Sequence, residues 1–350
     1  MNNRSPRQQE PSEASSRNAA GARAGNAGWG AITLLPNPLP GFEPADVDTT
    51  VHFLGRDYAV PLLIQARGID SADLAALAPV AERSGAPLAT GSLMPLFDGV
   101  VPVSTVVAYL DSAPSALILG EIPVSRLGDL ESTDIRAVAA ALRLGGLIIS
   151  LDTDEAARNG QPVPEVARNL ERIGGLVRAL RLPTVVRAPT GLARWTSRTL
   201  IEKGAAGLMV GGTEVAGERD AAGHNRHPSS SVLARPWGLP TIAAIRMLRS
   251  IGVPVISEGR VPTGLDAAKA IALGADLLAP RLAPAGSTPR SSDAIQRRLD
   301  RYLDELRLTM FLAGARQIAD LKQVPFIAVG QVREWLEAAE MLRRPDVPRT

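Results

Sequence analysis

The chain has 350 residues, 45% of them apolar and only 3% aromatic, which is enough for one large domain with a core packed from Ala, Val, Leu and Ile. It has no cysteine, which excludes disulfides, thiolate nucleophiles, iron–sulfur clusters and cysteine zinc sites. The 38 Lys and Arg nearly balance 36 Asp and Glu, and no dense basic stripe interleaves with aromatics, so the composition gives no support to nucleic-acid binding.

Residues 1–28 are polar and rich in Ser, Arg, Ala, Gly and Asn, and read as a disordered segment. They carry no apolar stretch like that of a signal peptide, and no later run is long and apolar enough to span a bilayer, so a cytoplasmic location is expected. Residues 29–345 read as a single domain. It opens on an irregular lead-in, Trp29 to Leu54, and continues as a repeat of short apolar runs and helical patterns. Strands are expected at Val60–Gln65, Pro87–Thr90, Ala116–Leu119, Leu147–Leu151, Thr184–Ala188, Gly207–Val210, Pro254–Ser257 and Asp276–Ala279. Helices are expected between them at Ser71–Ser84, Val101–Tyr109, Thr133–Leu144, Pro164–Leu180, Thr196–Lys203, Thr241–Ser250 and Leu265–Leu273, with Ser291–Ala319 as the last.

Eight short apolar strands alternating with helices predict an α/β fold closed as a (β/α)8 TIM barrel. A doubly wound open sheet is the alternative, but no Gly-x-Gly-x-x-Gly follows the first strand. In a barrel the site lies at the carboxyl ends of the strands, and the unit Ile251 to Pro280 occupies the closing end, where such enzymes often hold a phosphate. There Gly259 and Gly264 suit a phosphate turn, while Glu258, Arg260, Pro262 and Pro280 crowd it or remove a backbone donor.

Several stretches stand out in chain order: F-L-G-R-D-Y-A-V-P-L-L-I-Q-A at 53–66, G-S-L-M at 91–94, G-L-I-I-S-L-D at 146–152 and Q-P at 161–162. L-P-T-V-V-R-A at 182–188, G-L-M-V-G-G-T at 207–213, W-G-L-P-T at 237–241 and the tail L-D-E-L-R-L-T-M-F-L-A-G-A-R at 303–316 follow. Together they resemble the flavin-dependent type 2 isopentenyl diphosphate isomerases, over roughly residues 50–340. The resemblance implies a cytoplasmic barrel, assembled as a homotetramer or another homo-oligomer, and an activity that moves a double bond by proton transfer. In that family FMN and Mg²⁺ take part.

The departures fall mainly at strand ends. Arg67-Gly68-Ile69-Asp70 stands where the family has Met-Thr-Gly-Gly, and Gly91-Ser92-Leu93-Met94 stands for Gly-Ser-Gln-Arg. Ser150-Leu151-Asp152 replaces His-Leu-Asn, Arg187 takes a lysine position, Gly259-Arg260 replaces Gly-Gly, and Ala279-Pro280-Arg281 replaces Gly-Met-Ala. The expectation drawn from these changes is a barrel with no cofactor, with FMN (through Gly259 and Gly264) and Mg²⁺ (through Asp154 and Glu155) as alternatives.

The chemistry is then expected from side chains. Asp152, Asp154 and Glu155 crowd one strand end, and like charges close together raise a carboxyl pKa, which suits protonation of an alkene. The competing reading of the same residues is a helix N-cap with an acidic first turn. Glu258 is read as an ion pair with Arg260 or Arg281, or as a second acid or base. Arg67, Ser92, Arg187, Arg260 and Arg281 would place an anionic group. His224 and His227, in a polar loop, have no partner ligands that favour zinc. Three functions follow. The first is a flavin-independent isoprenoid cyclase or isomerase, of terpene cyclase type, acting on a prenyl or prenylated substrate, as in secondary metabolism. The second is an FMN-dependent isopentenyl diphosphate isomerase, and the third a non-catalytic barrel subunit.

Overall fold

The computed structural model describes residues 28–66, 68–69, 72–151, 166–212, 238–282 and 291–342. Eight parallel strands form the central sheet, each beside the next in sequence. They are β1 (Ile64–Gln65), β2 (Leu88–Ser92), β3 (Ile118–Pro123), β4 (Leu144–Ser150), β5 (Thr184–Ala188), β6 (Gly207–Val210), β7 (Val255–Gly259) and β8 (Leu277–Pro280). The sheet closes on itself just before β1. Leu62 bridges Leu278 in parallel, the Leu63 N–H donates to the Leu278 carbonyl at 2.8 Å, and the Leu278 N–H donates to Pro61 at 2.9 Å.

Helices α1 (Ala72–Ser84), α2 (Val103–Leu110), α3 (Ser132–Ala141), α4 (Val166–Leu180), α5 (Arg194–Glu202), α6 (Thr241–Leu248), α7 (Gly264–Leu273) and α8 (Ser292–Leu312) follow the strands in turn. This is the expected (β/α)8 barrel. Its strands read as continuous apolar runs because both faces are covered, and in β4 Leu147, Ile148 and Ile149 are all wholly buried. The first strand is shorter than the apolar run at Val60–Gln65, since Pro61 brings no N–H and pairing there thins to a bridge.

The lead-in is more regular than its prolines predict. Val51–Phe53 and Arg56–Tyr58 pair as an antiparallel hairpin across Leu54 and Gly55, both in the left-handed region that a tight two-residue turn needs. The hairpin packs under the amino ends of the strands, with Phe53 beside Gly207 and Leu54 beside Gly146, and so seals the floor of the barrel. A second small sheet joins Ile32–Leu34 to Phe326–Ala328, and a last helix spans Gly330–Met341.

Helix α7 is buried along nearly its whole length, between the sheet and α8. A Cβ on Gly264 would stand 2.3 Å from both the Leu306 nitrogen and the Tyr302 carbonyl oxygen, so glycine is required by the contact of two backbones. Gly264→Ala must push α7 and α8 apart, and a loss of at least about 1–3 kcal/mol in urea unfolding is the expected outcome. Unchanged stability would show that the two helices do not touch as closely as this.

Candidate active site

Three charged side chains meet in the barrel lumen. Glu121 comes from β3, Arg187 from β5 and Glu258 from β7, that is, from alternate strands. Side chains from alternate strands converge on the concave face of a closed barrel, where they form one layer. The Arg187 guanidinium donates through Nε to Glu258 Oε2 at 2.7 Å and through Nη2 to Glu258 Oε1, a two-point pairing. Its Nη1 donates to Glu121 Oε1 at 3.0 Å. Glu121 and Glu258 are 7% and 5% exposed, so this is a buried cluster near the carboxyl ends of the strands.

Two carboxylates facing one guanidinium leave a formal surplus of one negative charge when all three are ionised. Burial alone lowers the pKa of the guanidinium, but the attraction of Glu258 and then of Glu121 outweighs it and holds Arg187 above its ordinary value. Arg187 therefore stays cationic and is locked in place by the two-point pair. Glu121 is held at a single point.

Above β7 and β8 the backbone is poor in free donors. The Val261 N–H donates to the Gly259 carbonyl at 3.0 Å, the Gly264 N–H to Glu305 Oε2 at 2.9 Å and the Asp266 N–H to Thr263 Oγ1 at 3.1 Å. Pro262 and Pro280 have no N–H. Gly259 keeps the special backbone of a turn, with φ at +143°. Gly259 and Pro280 are register partners, so Arg260 and Arg281 follow side by side at the ends of β7 and β8, and both are exposed. The corner is held from outside, since the Trp29 indole N–H donates to the Arg260 carbonyl at 2.6 Å.

The residues singled out from sequence thus fall in different places. Glu258 is paired with Arg187, a residue of another strand, where sequence proximity pointed to Arg260 or Arg281. Arg187, read as an anion-placing group, is held between carboxylates of its own chain. The Ser92 hydroxyl accepts from the Met94 N–H at 3.2 Å and turns the chain after β2. Gly264 was read as a phosphate glycine, but its N–H is taken by Glu305 and its missing Cβ makes room for α8. Arg67, Asp70, Asp152, Asp154, Glu155, His224 and His227 lie outside the described residues. Among the described residues no group of three or more His, Asp or Glu could hold a metal ion. Glu121 was missed by sequence reasoning, although a lone carboxylate in the apolar run I-L-G-E-I-P at a strand end was a usable signal.

Comparison with known proteins decides the family. An isopentenyl-diphosphate delta-isomerase of Halobacterium salinarum is 32% identical over 333 residues, covering 89% of this chain and 90% of that one. The chain belongs to the type 2 isopentenyl-diphosphate delta-isomerase family. Isomerases of Methanothermobacter thermautotrophicus (30% identical, 88% of this chain and 89% of the relative) and Methanosarcina acetivorans (28%, 90% of each) match over similar lengths. Among solved structures, mandelate oxidase with (S)-2-phenylpropionate superposes with a TM-score of 0.62 at 18% identity, over 88% of this chain and 90% of that one. A mandelate oxidase variant with a monooxide FMN adduct has the same TM-score and identity, over 88% and 91%. At that identity the likeness shows the barrel fold.

Within this isomerase family member, residues 238–327 match the family model described as FMN-dependent dehydrogenase. That stretch holds β7, α7 and β8, and a structure with an FMN adduct shares the fold. These findings overturn the expectation of a cofactor-free barrel. Altered strand ends are no argument by themselves for an empty barrel. The donor set present suits a phosphate: Arg260 and Arg281 stand exposed and side by side at the ends of β7 and β8.

Among the described residues no helix is long and apolar enough to cross a membrane.

Proposed function

We propose that the protein is an FMN-dependent isomerase that moves the carbon–carbon double bond of a prenyl-type diphosphate such as isopentenyl diphosphate. The observation that carries this reading is the match along nine-tenths of both chains to isopentenyl-diphosphate delta-isomerases, joined to the FMN-dependent match over the phosphate end. The flavin-independent cyclisation expected from the sequence is set aside with the cofactor-free barrel.

Arg260 and Arg281 would hold the phosphate end of FMN through their side chains, with Gly259 allowing the turn beside them. Reduced FMN, when bound, would supply acid–base chemistry toward an alkene. Arg187, fixed by Glu258, sets a positive charge in the lumen. Glu121, with one contact to Arg187, is the carboxylate of the layer that is tied to it at fewer points. Asp152, Asp154 and Glu155, which lie outside the described residues, are kept as the second candidates for an acid or a Mg²⁺ ligand. Homo-oligomeric assembly belongs to the same reading, and exposed Leu308, Leu312, Ile327 and Val329 provide apolar surface for it.

The test is to load the purified protein with FMN, reduce it, and add isopentenyl diphosphate in D₂O. Deuterium entering the substrate, with dimethylallyl diphosphate as product, is the expected result. Flavin binding without isotope exchange would sink the isomerase reading, and absence of flavin binding would sink its cofactor.

A further inference from the structure

We infer that the floor of the barrel carries a second binding site, for an organic anion with a short apolar tail such as a prenyl diphosphate. Arg56, Arg136 and Arg143 hold its charged head, and Leu144, Leu180 and Leu182 its tail. The choice of a prenyl tail rests on the reading above, whereas the choice of an anionic head rests on the cleft alone.

A cleft of about 400 Å³ opens where the hairpin strand Arg56–Tyr58, the ends of α3 and α4 and the start of β4 meet. That volume suits a small molecule. The lining is apolar apart from the three arginines, and among the described residues no Asp or Glu lines it. Arg56 comes from the hairpin, Arg136 from α3 and Arg143 from the turn after α3. The cleft is separate from the candidate active site. Leu144 begins β4 and Ser150 ends it, about 20 Å away along the strand.

Two of the guanidinium groups are tethered by backbone carbonyls. Arg136 Nη2 donates to Ala179, in the last turn of α4, at 2.6 Å. Arg143 Nη2 donates to Leu110, at the end of α2, at 3.2 Å, and its Nη1 to Pro114 at 3.5 Å. Helix capping explains these bonds, but a guanidinium has five N–H donors and most are left for a ligand. Capping gives no reason for Arg56, which makes no ion pair among the described residues. Arg143 itself stands at φ +54°, in the left-handed region where glycine closes a helix without strain, yet an arginine is placed there. Three like charges over apolar walls concentrate a positive potential in the cleft. A diphosphate relieves it, because its oxygens accept paired bonds from guanidinium groups. An apolar tail then covers the half-buried Leu180 and Leu182, which water otherwise wets.

The full-length wild type, Arg56→Gln and Arg143→Gly are titrated calorimetrically with geranyl diphosphate, inorganic pyrophosphate and geraniol, and their melting temperatures are recorded. Arg56→Gln removes a charge that has no ion pair to lose, and Arg143→Gly removes one at a backbone that suits glycine. The expected result is a geranyl diphosphate site that each variant weakens roughly tenfold or more, as the loss of charge-assisted bonds requires. Pyrophosphate binds that site more weakly, and geraniol does not bind it. Where the active site also takes geranyl diphosphate, two binding events appear per chain and only one responds to the variants. Where the isomerase reading fails, a single event that both variants weaken still supports the floor site. Geranyl diphosphate bound with unchanged affinity by both variants, or not bound by the wild type, overturns the inference. Pyrophosphate bound as tightly as geranyl diphosphate overturns the role of the leucines. Should Arg143→Gly fail to fold, Arg56→Gln carries the test.

Discussion

Replacing Arg187 by leucine is expected to cost about 3–5 kcal/mol of folding stability, and most of that loss should return when Glu121 and Glu258 are changed to glutamine in the same chain. The single change leaves two carboxylates, both more than nine-tenths buried, without their counter-charge in the lumen of the barrel. The penalty comes from those stranded charges more than from any strength of the original pairs, because pairing in a low-dielectric interior does little more than offset desolvation. The triple variant removes the charges altogether and so removes the penalty. Urea unfolding of the three proteins makes the measurement. A single variant as stable as the wild type, or a triple variant no better than the single, would show that the three residues do not act as one electrostatic unit.

The barrel was legible in the sequence because its signal is local. Thr184–Ala188 and Gly207–Val210 are short apolar runs bounded by Pro and Gly, and their observed limits coincide with the expected ones. The lumen cluster was not legible, because Arg187 lies 66 positions from Glu121 and 71 from Glu258, and only closure of the sheet places them in one layer. Sequence proximity pointed Glu258 toward Arg260, but Glu258 is the penultimate residue of β7 and faces inward, whereas Arg260 lies beyond the strand. Gly264 illustrates a second difficulty. A glycine at the start of a helix after a strand serves equally a phosphate or a neighbouring helix, and nothing in T-G-L-D tells the two apart. Here the Glu305 carboxylate takes its N–H and the α8 backbone takes its open face. The hairpin turn at Leu54-Gly55 escaped notice for a related reason, since leucine at φ +47° breaks the usual Asn-Gly or Asp-Gly signature.

Arg260→Ala combined with Arg281→Ala is expected to weaken FMN on the order of 10²–10³-fold while leaving riboflavin affinity unchanged, as the loss of charge-assisted hydrogen bonds to a phosphate would require. A backbone cradle would be indifferent to both substitutions. In this chain, however, the Val261, Gly264 and Asp266 amides are engaged and Pro262 and Pro280 have none, so the corner offers fewer backbone donors than a bare glycine turn and side chains matter more there. Both arginines are exposed, so the wild-type affinity for FMN should also fall steeply with salt, and the double variant should lose most of that dependence. Flavin fluorescence quenching at two ionic strengths reads all of this without any turnover. Each single variant should lose part of what the double variant loses. Equal and small effects would place the phosphate elsewhere at the mouth of the barrel, and would return the glycines of the turn to consideration as its donors.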